Sequence, residues 1–199
     1  VIDKANRRVL KRSRTIGESM GSTFAMLVVS SKYLYACNLG DSEIYLKTQY
    51  GLERLSKPQT VAQELVDSGA ISESQASRSY VRNQLSKYLG MKNLKGIGPN
   101  ECSLYIRNGD ILLICSDGVS DTLANHSIYA CLSPNRPVRE IADTIIEKAI
   151  RKGSGDNLTV VIARVLDDGR EARLRRLLAI ALGITAGIVA LTALLFAIF

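Results

Sequence analysis

Apolar and polar positions along residues 1–166 recur with two periods, and each period marks a different kind of element. Residues 3–14 lie in a basic run in which Ile2, Ala5 and Val9 share one side, the spacing of a helix with a single inward stripe. Residues 24–29, 33–37 and 43–47 read as consecutive strands, with turns at Ser30-Ser31 and Gly40-Asp41. Tyr50-Gly51 marks a tight turn into residues 52–55. Residues 60–67 read as a helix that ends at Gly69, and Ser72-Glu73-Ser74-Gln75 has the form of a capping box that starts a short second helix. Residues 102–107 and 110–115 flank Asn108-Gly109, a strong two-residue turn signal, and together predict a hairpin. Residues 137–152 predict an amphipathic helix with Val138, Ile141, Ile145 and Ala149 on one stripe, Pro137 near its start and Gly153 after its end. A last strand is expected over 158–166. Hairpin-linked strands with paired helices indicate an α+β class.

The pattern changes at the C-terminus. Residues 177–199 carry no charge. At about 1.5 Å per residue such a helix crosses a hydrocarbon core of about 30 Å. Its position excludes a cleavable secretory signal. Arg170, Arg173, Arg175 and Arg176 stand immediately before it, and the positive-inside tendency puts them, with residues 1–169, in the cytoplasm. The expected organisation is a folded domain over 1–166, a basic juxtamembrane linker over 167–176 and a single transmembrane helix over 177–199. Gly183 and Gly187 form a GxxxG pattern that supports helix pairing. Glycine and alanine are ordinary in such helices, so the pattern alone does not predict a dimer.

Charge and composition narrow the function. The net charge is +7, but six of the first fourteen residues are basic and four arginines crowd 170–176, so the middle of the chain is close to neutral. A nucleic-acid binder needs a basic face with recognition elements, and neither is present in the pattern. Cys37, Cys102, Cys115 and Cys131 show no CxxC spacing, and all but Cys131 fall in apolar runs. They read as small buried hydrophobes in a reducing compartment rather than disulfides or a zinc site. His126 has no second histidine to share a metal and reads as a surface or helix-start residue. The sequon Asn157-Leu158-Thr159 sits at a strand start and is idle in the cytosol.

Candidate chemistry lies at strand ends. The apolar run 110–115 stops at Ser116-Asp117-Gly118, and Asp121 follows. Asp156 precedes the apolar run 158–163, and Asp41 follows the strand at 33–37. Any one such acid beside glycine is ordinary turn chemistry. Three similar strand exits supply the oxygen donors that Mg²⁺ and Mn²⁺ require.

The order and flanks of these exits resemble a known family. Met20-Gly21-Ser22-Thr23-Phe24-Ala25 and Tyr35-Ala36-Cys37-Asn38-Leu39-Gly40-Asp41-Ser42 resemble the "MGTT…ANVGDS" region of the metal-dependent protein phosphatases of type 2C, the PPM family. Residues 63–72 and 82–90 resemble its bacterial "QELVEAGEIT" and "RNVLTRALG" stretches. Residues 109–121 resemble "GDxLLLCSDGLxD", and Gly155-Asp156-Asn157-Leu158-Thr159 resembles "GxDNxTxV". The resemblance implies two antiparallel sheets packed as a sandwich with helices outside and a metal cleft at one end. It implies hydrolysis of phosphoserine or phosphothreonine by a water bridging two Mg²⁺ or Mn²⁺ ions, with a third ion site, on phosphoprotein substrates and in opposition to Ser/Thr kinases. Carried over by motif, Asp117 and Asp156 belong to the binuclear centre, and Asp41 and Asp121, with Asp117, to the third site. Asn157 would orient Asp156, and Gly118 and Gly155 would keep the approach uncrowded.

Three departures stand out. No Asp-Gly-x-Gly occurs in residues 1–30, although the family's bridging aspartate lies in Asp-Gly-x-Gly-Gly before the "MGTT" strand. Glu43 stands where the family has arginine, and Lys57-Pro58-Gln59-Thr60 replaces "DHS". Two readings follow: residues 1–199 are the C-terminal part of a fuller enzyme, or they form a membrane-tethered binding module without catalysis. A small membrane adaptor without phosphatase ancestry would explain the anchor but not the ordered motifs.

Overall fold

The computed structural model describes residues 1–30, 32–94 and 100–166. The expected linker at 167–176, the expected transmembrane helix at 177–199 and the Gly183/Gly187 pattern lie outside them. Among the described residues no helix is long and apolar enough to cross a membrane.

The chain begins with helix α1 (Ile2–Ile16), which Gly17 ends in a left-handed conformation. Strands β1 (Phe24–Ser30), β2 (Tyr33–Leu39), β3 (Glu43–Thr48) and β4 (Gly51–Arg54) follow, then α2 (Val61–Asp67) and α3 (Glu73–Ala76). Next come β5 (Asn100–Tyr105), β6 (Ile111–Cys115), α4 (Asp117–Ser120), α5 (Asn125–Cys131), α6 (Val138–Arg151) and β7 (Val160–Arg164). All strand pairs are antiparallel, in a three-stranded sheet β1-β2-β5 and a four-stranded sheet β4-β3-β6-β7.

Side-chain alternation explains the layers. Leu34 of β2 and Leu46 and Leu112 of β3 and β6 are buried together with Ile106, so the two sheets face one another across an apolar seam. The opposite face of the four-stranded sheet presents Tyr45, Ile111, Leu113 and Cys115 to α4, α5 and α6. Helix α6 answers with Ile141, Ile145 and Ala149, all fully buried at i, i+4 and i+8. Helix α1 turns Ile2, Ala5 and Val9 onto Phe24, Leu39 and Leu89, as its stripe predicts. Its Asn6 is buried and holds the chain at Gly90, whose N–H donates to Asn6 Oδ1 at 2.6 Å.

One predicted pairing is wrong. Asn108-Gly109 does not join a hairpin. β5 pairs with β2, while β6 pairs with β3 and β7. Gly109 does take a positive φ of 91°, so the local turn chemistry is right. The flanking backbone is claimed by other partners: the Ile106 N–H donates to Lys32 O at 2.8 Å, and the Gly109 N–H donates to Val165 O at 2.9 Å. The chain therefore crosses from one sheet to the other here. Helices α4 and α5 are too short to show a period, and the pattern gave them no helical assignment. The capping box at Ser72 and Gln75 is present as expected.

Candidate metal and phosphate cleft

Strand direction decides where the acids gather. β2 ends, β3 begins, β6 ends and β7 begins at the same end of the sandwich, because neighbouring strands are antiparallel and in register: Glu43 faces Cys115, and Cys115 faces Val160. The turns that leave this end carry Asp41, Asp117 and Asp156. Asp41, Asp117 and Asp121 line one cleft of about 390 Å³, together with Glu43, Arg54 and Ser120. Thr60, Gln63, Glu73, Arg82 and Asn83, from α2, α3 and their flanking loops, form its other wall.

The Asp41 turn is braced from below. Gly40 has φ 99°, and a Cβ there would lie 2.6 Å from Thr23 Cγ2, so glycine is required on both counts. The Gly40 N–H donates to Gln59 Oε1 at 2.9 Å, and the Gln59 N–H returns a bond to Gly40 O at 3.0 Å. Buried Asn38 donates its Nδ2 to Lys57 O at 3.0 Å and to Gly40 O at 3.2 Å. The Lys57–Thr60 segment, which departs from the resembled pattern, thus does structural work directly under Asp41.

Asp117 opens α4, and Asp121 closes it with its N–H on Asp117 O at 2.7 Å. Asn83 donates its Nδ2 to Asp121 Oδ2 at 3.0 Å and so ties the α3 side of the cleft to α4. The Asp156 loop is zipped to the same turn. Ser116 Oγ donates to Asn157 O at 3.1 Å, the Thr159 N–H donates to Ser116 Oγ at 3.1 Å, and Ser154 Oγ donates to Gly118 O at 3.0 Å. A Cβ on Gly118 would lie 2.7 Å from Asn157 O and 3.2 Å from Asp156 Cβ. Asp156 is therefore a direct neighbour of the Asp117-Gly118 turn, although it does not line the cleft itself. The Asn157 backbone N–H donates to Asp156 Oδ1 at 2.6 Å, so the main chain orients this carboxylate. A Cβ on Gly155 would meet nothing within 4 Å.

The cleft carries the acids Asp41, Glu43, Asp117 and Asp121, and its Arg54 is engaged by Glu43. Burial pushes the Asp41 carboxyl up to about 6, and the Asp117 carboxylate, then Asp121 and Glu43, push the same way. Glu43 is buried but satisfied. It pairs with Arg54 at 3.0 Å and accepts from the Tyr45 hydroxyl, which burial and Glu43 hold above its ordinary value. Glu43, the residue after Gly-Asp-Ser, is thus paired with a cation from β4. The four cysteines are free, and burial raises Cys115 and, less strongly, Cys37 and Cys102. His126 is exposed on α5.

Because the raised pKa favours protonated Asp41 in the folded state, its contribution to stability is full below about 3.8 and is lost as pH rises through about 6. Asp41 is partly buried at the cleft surface, and solvent screening reduces the cost at pH 8 to about 1 kcal/mol. Asp41→Asn should therefore raise the metal-free melting temperature by about 3 °C at pH 8, and the gain should vanish near pH 4. Thermal unfolding at the two pH values checks this; a loss of stability at pH 8 would show that the carboxylate is favourably paired.

The donors suit a hard divalent ion: they are carboxylate oxygens, mutually repelling and open to solvent on one side. They form a partial set. Among the described residues, no three His, Cys, Asp or Glu side chains stand close enough to hold an ion as a group.

Arg54, Glu43, Asn83 and the Gln59 brace were not predicted as site residues. The signals were the departures at Glu43 and at 57–60 and the "RNVLTRALG"-like stretch that contains Asn83.

Known proteins resemble this chain in sequence and fold. The family model described as protein phosphatase 2C matches residues 2–158. The chain is 35% identical over 152 residues to the serine/threonine protein phosphatase PstP of Mycobacterium tuberculosis, covering 75% of this chain and 28% of that protein. It is 28% identical over 178 residues to the serine/threonine phosphatase stp of Listeria monocytogenes, covering 86% and 69%. The crystal structure of M. tuberculosis PstP superposes with a TM-score of 0.74 at 30% identity, covering 81% of this chain and 68% of that one. A second structure of the PstP catalytic domain, in complex with two manganese ions, gives 0.69 at 31% identity, covering 81% and 67%. The chain thus spans just over a quarter of the PstP sequence and about two thirds of its solved domain. Two antiparallel sheets, an acidic cleft at one end and a family match over most of the described residues lead to one assignment: the chain belongs to the protein phosphatase 2C family.

Proposed function

We propose that this chain carries most of the catalytic fold of a metal-dependent protein serine/threonine phosphatase that acts on phosphoprotein substrates beside a membrane. The observation that carries the reading is the meeting of Asp41, Asp117 and Asp121 in one cleft, with Asp156 held against Gly118. Asp117 and Asp156 would hold the catalytic pair of Mg²⁺ or Mn²⁺ ions, and Asp41 and Asp121, with Asp117, a further ion. When bound, such ions lower the pKa of a water and polarise the phosphoryl group. The chain's own residues do the positioning. Asn83 fixes Asp121, the Gly40–Gln59 bonds fix Asp41, and the Asn157 N–H fixes Asp156. Arg82 stands exposed on the cleft wall, where a guanidinium can pair with a phosphate.

Asp-Gly-x-Gly-Gly occurs nowhere in the 199 residues, and no three described acids, though Asp41, Asp117 and Asp121 share the cleft, stand close enough to hold one ion as a group. The same facts favour a second reading, a phosphatase-like module that binds without hydrolysing. Residues 170–176 and 177–199 supply a basic flank and a single-pass anchor in both readings, with residues 1–169 cytoplasmic. A Ser/Thr kinase whose products the cleft would dephosphorylate is the natural partner.

A turnover assay separates the two. The 199-residue chain should bind Mn²⁺ weakly and hydrolyse p-nitrophenyl phosphate at background rate. A chimera that adds the PstP segment preceding the matched region should show Mn²⁺-dependent hydrolysis of a phosphothreonine peptide. A folded chimera without turnover would leave the binding-module reading.

A further inference from the structure

The strands that gather the acids at one end leave a different chemistry at the other. β2 begins there, β3, β5 and β7 end there, and β6 begins there. A hollow of about 470 Å³ opens at this far end, lined by Lys47, Tyr50, Tyr105, Arg107 and Asp110 among others. Its one acid is spent internally. Asp110 is 6% exposed and accepts the Arg107 N–H at 2.8 Å. Among the groups that reach solvent are one guanidinium and two phenols: Arg107 is exposed and donates to the Tyr50 hydroxyl at 3.5 Å, Tyr50 is 81% exposed and Tyr105 is 52% exposed, while Lys47 is half-buried with its Nζ 5.3 Å from the centre of the Tyr129 ring. Tyr33, 54% exposed, packs edge-on against Tyr105 with ring centroids 6.1 Å apart. Nearby, Arg136 is paired with Glu140.

The domain also ends here. Val165 exchanges backbone bonds with Gly109 and Asp110 at the rim of the hollow. Beyond it, the sequence runs through Asp167 and Asp168 to four arginines and then twenty-three uncharged residues.

We propose that this end of the sandwich is a docking face for an anionic bilayer surface, which seats the domain with its acidic cleft turned away from the lipid. Tyrosine rings favour the head-group region, and lysine and arginine side chains are drawn to acidic lipid. The acidic cleft would be repelled by the same surface. The proposal rests on the anchor reading of residues 177–199.

The test uses the full chain reconstituted in vesicles of phosphatidylcholine, with or without about 30% phosphatidylglycerol, in a Cys102→Ser background because the other three cysteines are buried. Alkaline carbonate extraction comes first. A chain released by carbonate overturns the anchor and this proposal with it. A fluorophore is then placed at Tyr50→Cys or at Tyr80→Cys, a 99% exposed residue beside the cleft wall. Spin-labelled head groups should quench the label at position 50 at least about threefold more than at position 80 in anionic vesicles. The difference should disappear in phosphatidylcholine, in about 0.5 M salt and in the Lys47→Glu/Arg107→Glu variant. Arg107→Glu alone should reduce it, and this residue touches no core. Equal quenching at both positions, or a difference indifferent to lipid charge, with the chain still anchored, would overturn the docking face alone.

Discussion

Asp117→Asn should lower the Mn²⁺-dependent turnover of the completed chimera by more than about 100-fold, with the fold unchanged. The magnitude follows from what the residue is asked to do. Loss of a group that merely orients a metal ligand costs about 10- to 100-fold, and Asp117 is proposed as a ligand itself. The fold should tolerate the change, because the Asp117 side chain is half-buried and, among the described residues, bonds only to the adjacent Gly118 N–H, at 2.9 Å. The amide oxygen of asparagine can accept the same bond. Removing the charge also relieves Asp41, whose carboxyl Asp117 pushes upward. The variant should therefore be at least as stable as the parent without metal while losing activity. Asp143→Asn, an exposed acid on α6, should change neither. Steady-state kinetics with thermal unfolding on the same samples decide the matter; retention of more than about a tenth of the activity would remove Asp117 from the catalytic pair.

Gly118→Ala should act by a different route and damage both stability and function. The added methyl would sit 2.7 Å from the Asn157 carbonyl oxygen and 3.2 Å from both Asp156 Cβ and Leu158 Cδ2. The nearest obstacle is backbone, held by Ser116 Oγ, so it cannot swing aside as a flexible side chain would. Relief requires the 154–159 loop to move away from α4. Such overpacking costs about 1–3 kcal/mol, or roughly 3–10 °C in melting temperature for a domain of this size. The same displacement carries Asp156 away from Asp117, so activity should fall even at temperatures where the protein stays folded. Gly155→Ala is the control. It lies in the same loop with open space around it and should stay within about 0.5 kcal/mol of the parent.

The parts of the fold legible in the sequence are those decided locally. The α6 stripe, the Ser72 capping box and the inward residues of α1 each follow from neighbours within one or two turns. The apolar run into Ser116-Asp117-Gly118 was legible because β6 is central, buried on both faces and forced to leave at the end of the sheet. Partner choice was not legible. Asn108-Gly109 has the turn chemistry of a hairpin, yet the strands on either side belong to different sheets, and only contacts more than 50 residues distant reveal it. The site divides in the same way. Asp41, Asp117 and Asp156 were visible at strand ends, whereas their gathering at one end of the sandwich depends on strand order. The Glu43–Arg54 pair joins two strands, so substitution of a basic residue by Glu43 read as a bare departure. Gln59 likewise read as a lost motif, although it carries the bond that shapes the Asp41 turn.

The most direct test of shared ion binding is a double-mutant cycle on Mn²⁺ affinity in the chimera, with Asp117→Asn, Asp156→Asn and the pair measured by titration calorimetry. If both side chains serve one binuclear centre, either single change should remove most of the affinity and the second should add little, leaving a coupling well above about 0.5 kcal/mol. Two independent losses that simply add would mean that Asp117 and Asp156, though neighbours in the fold, do not act on the same ions.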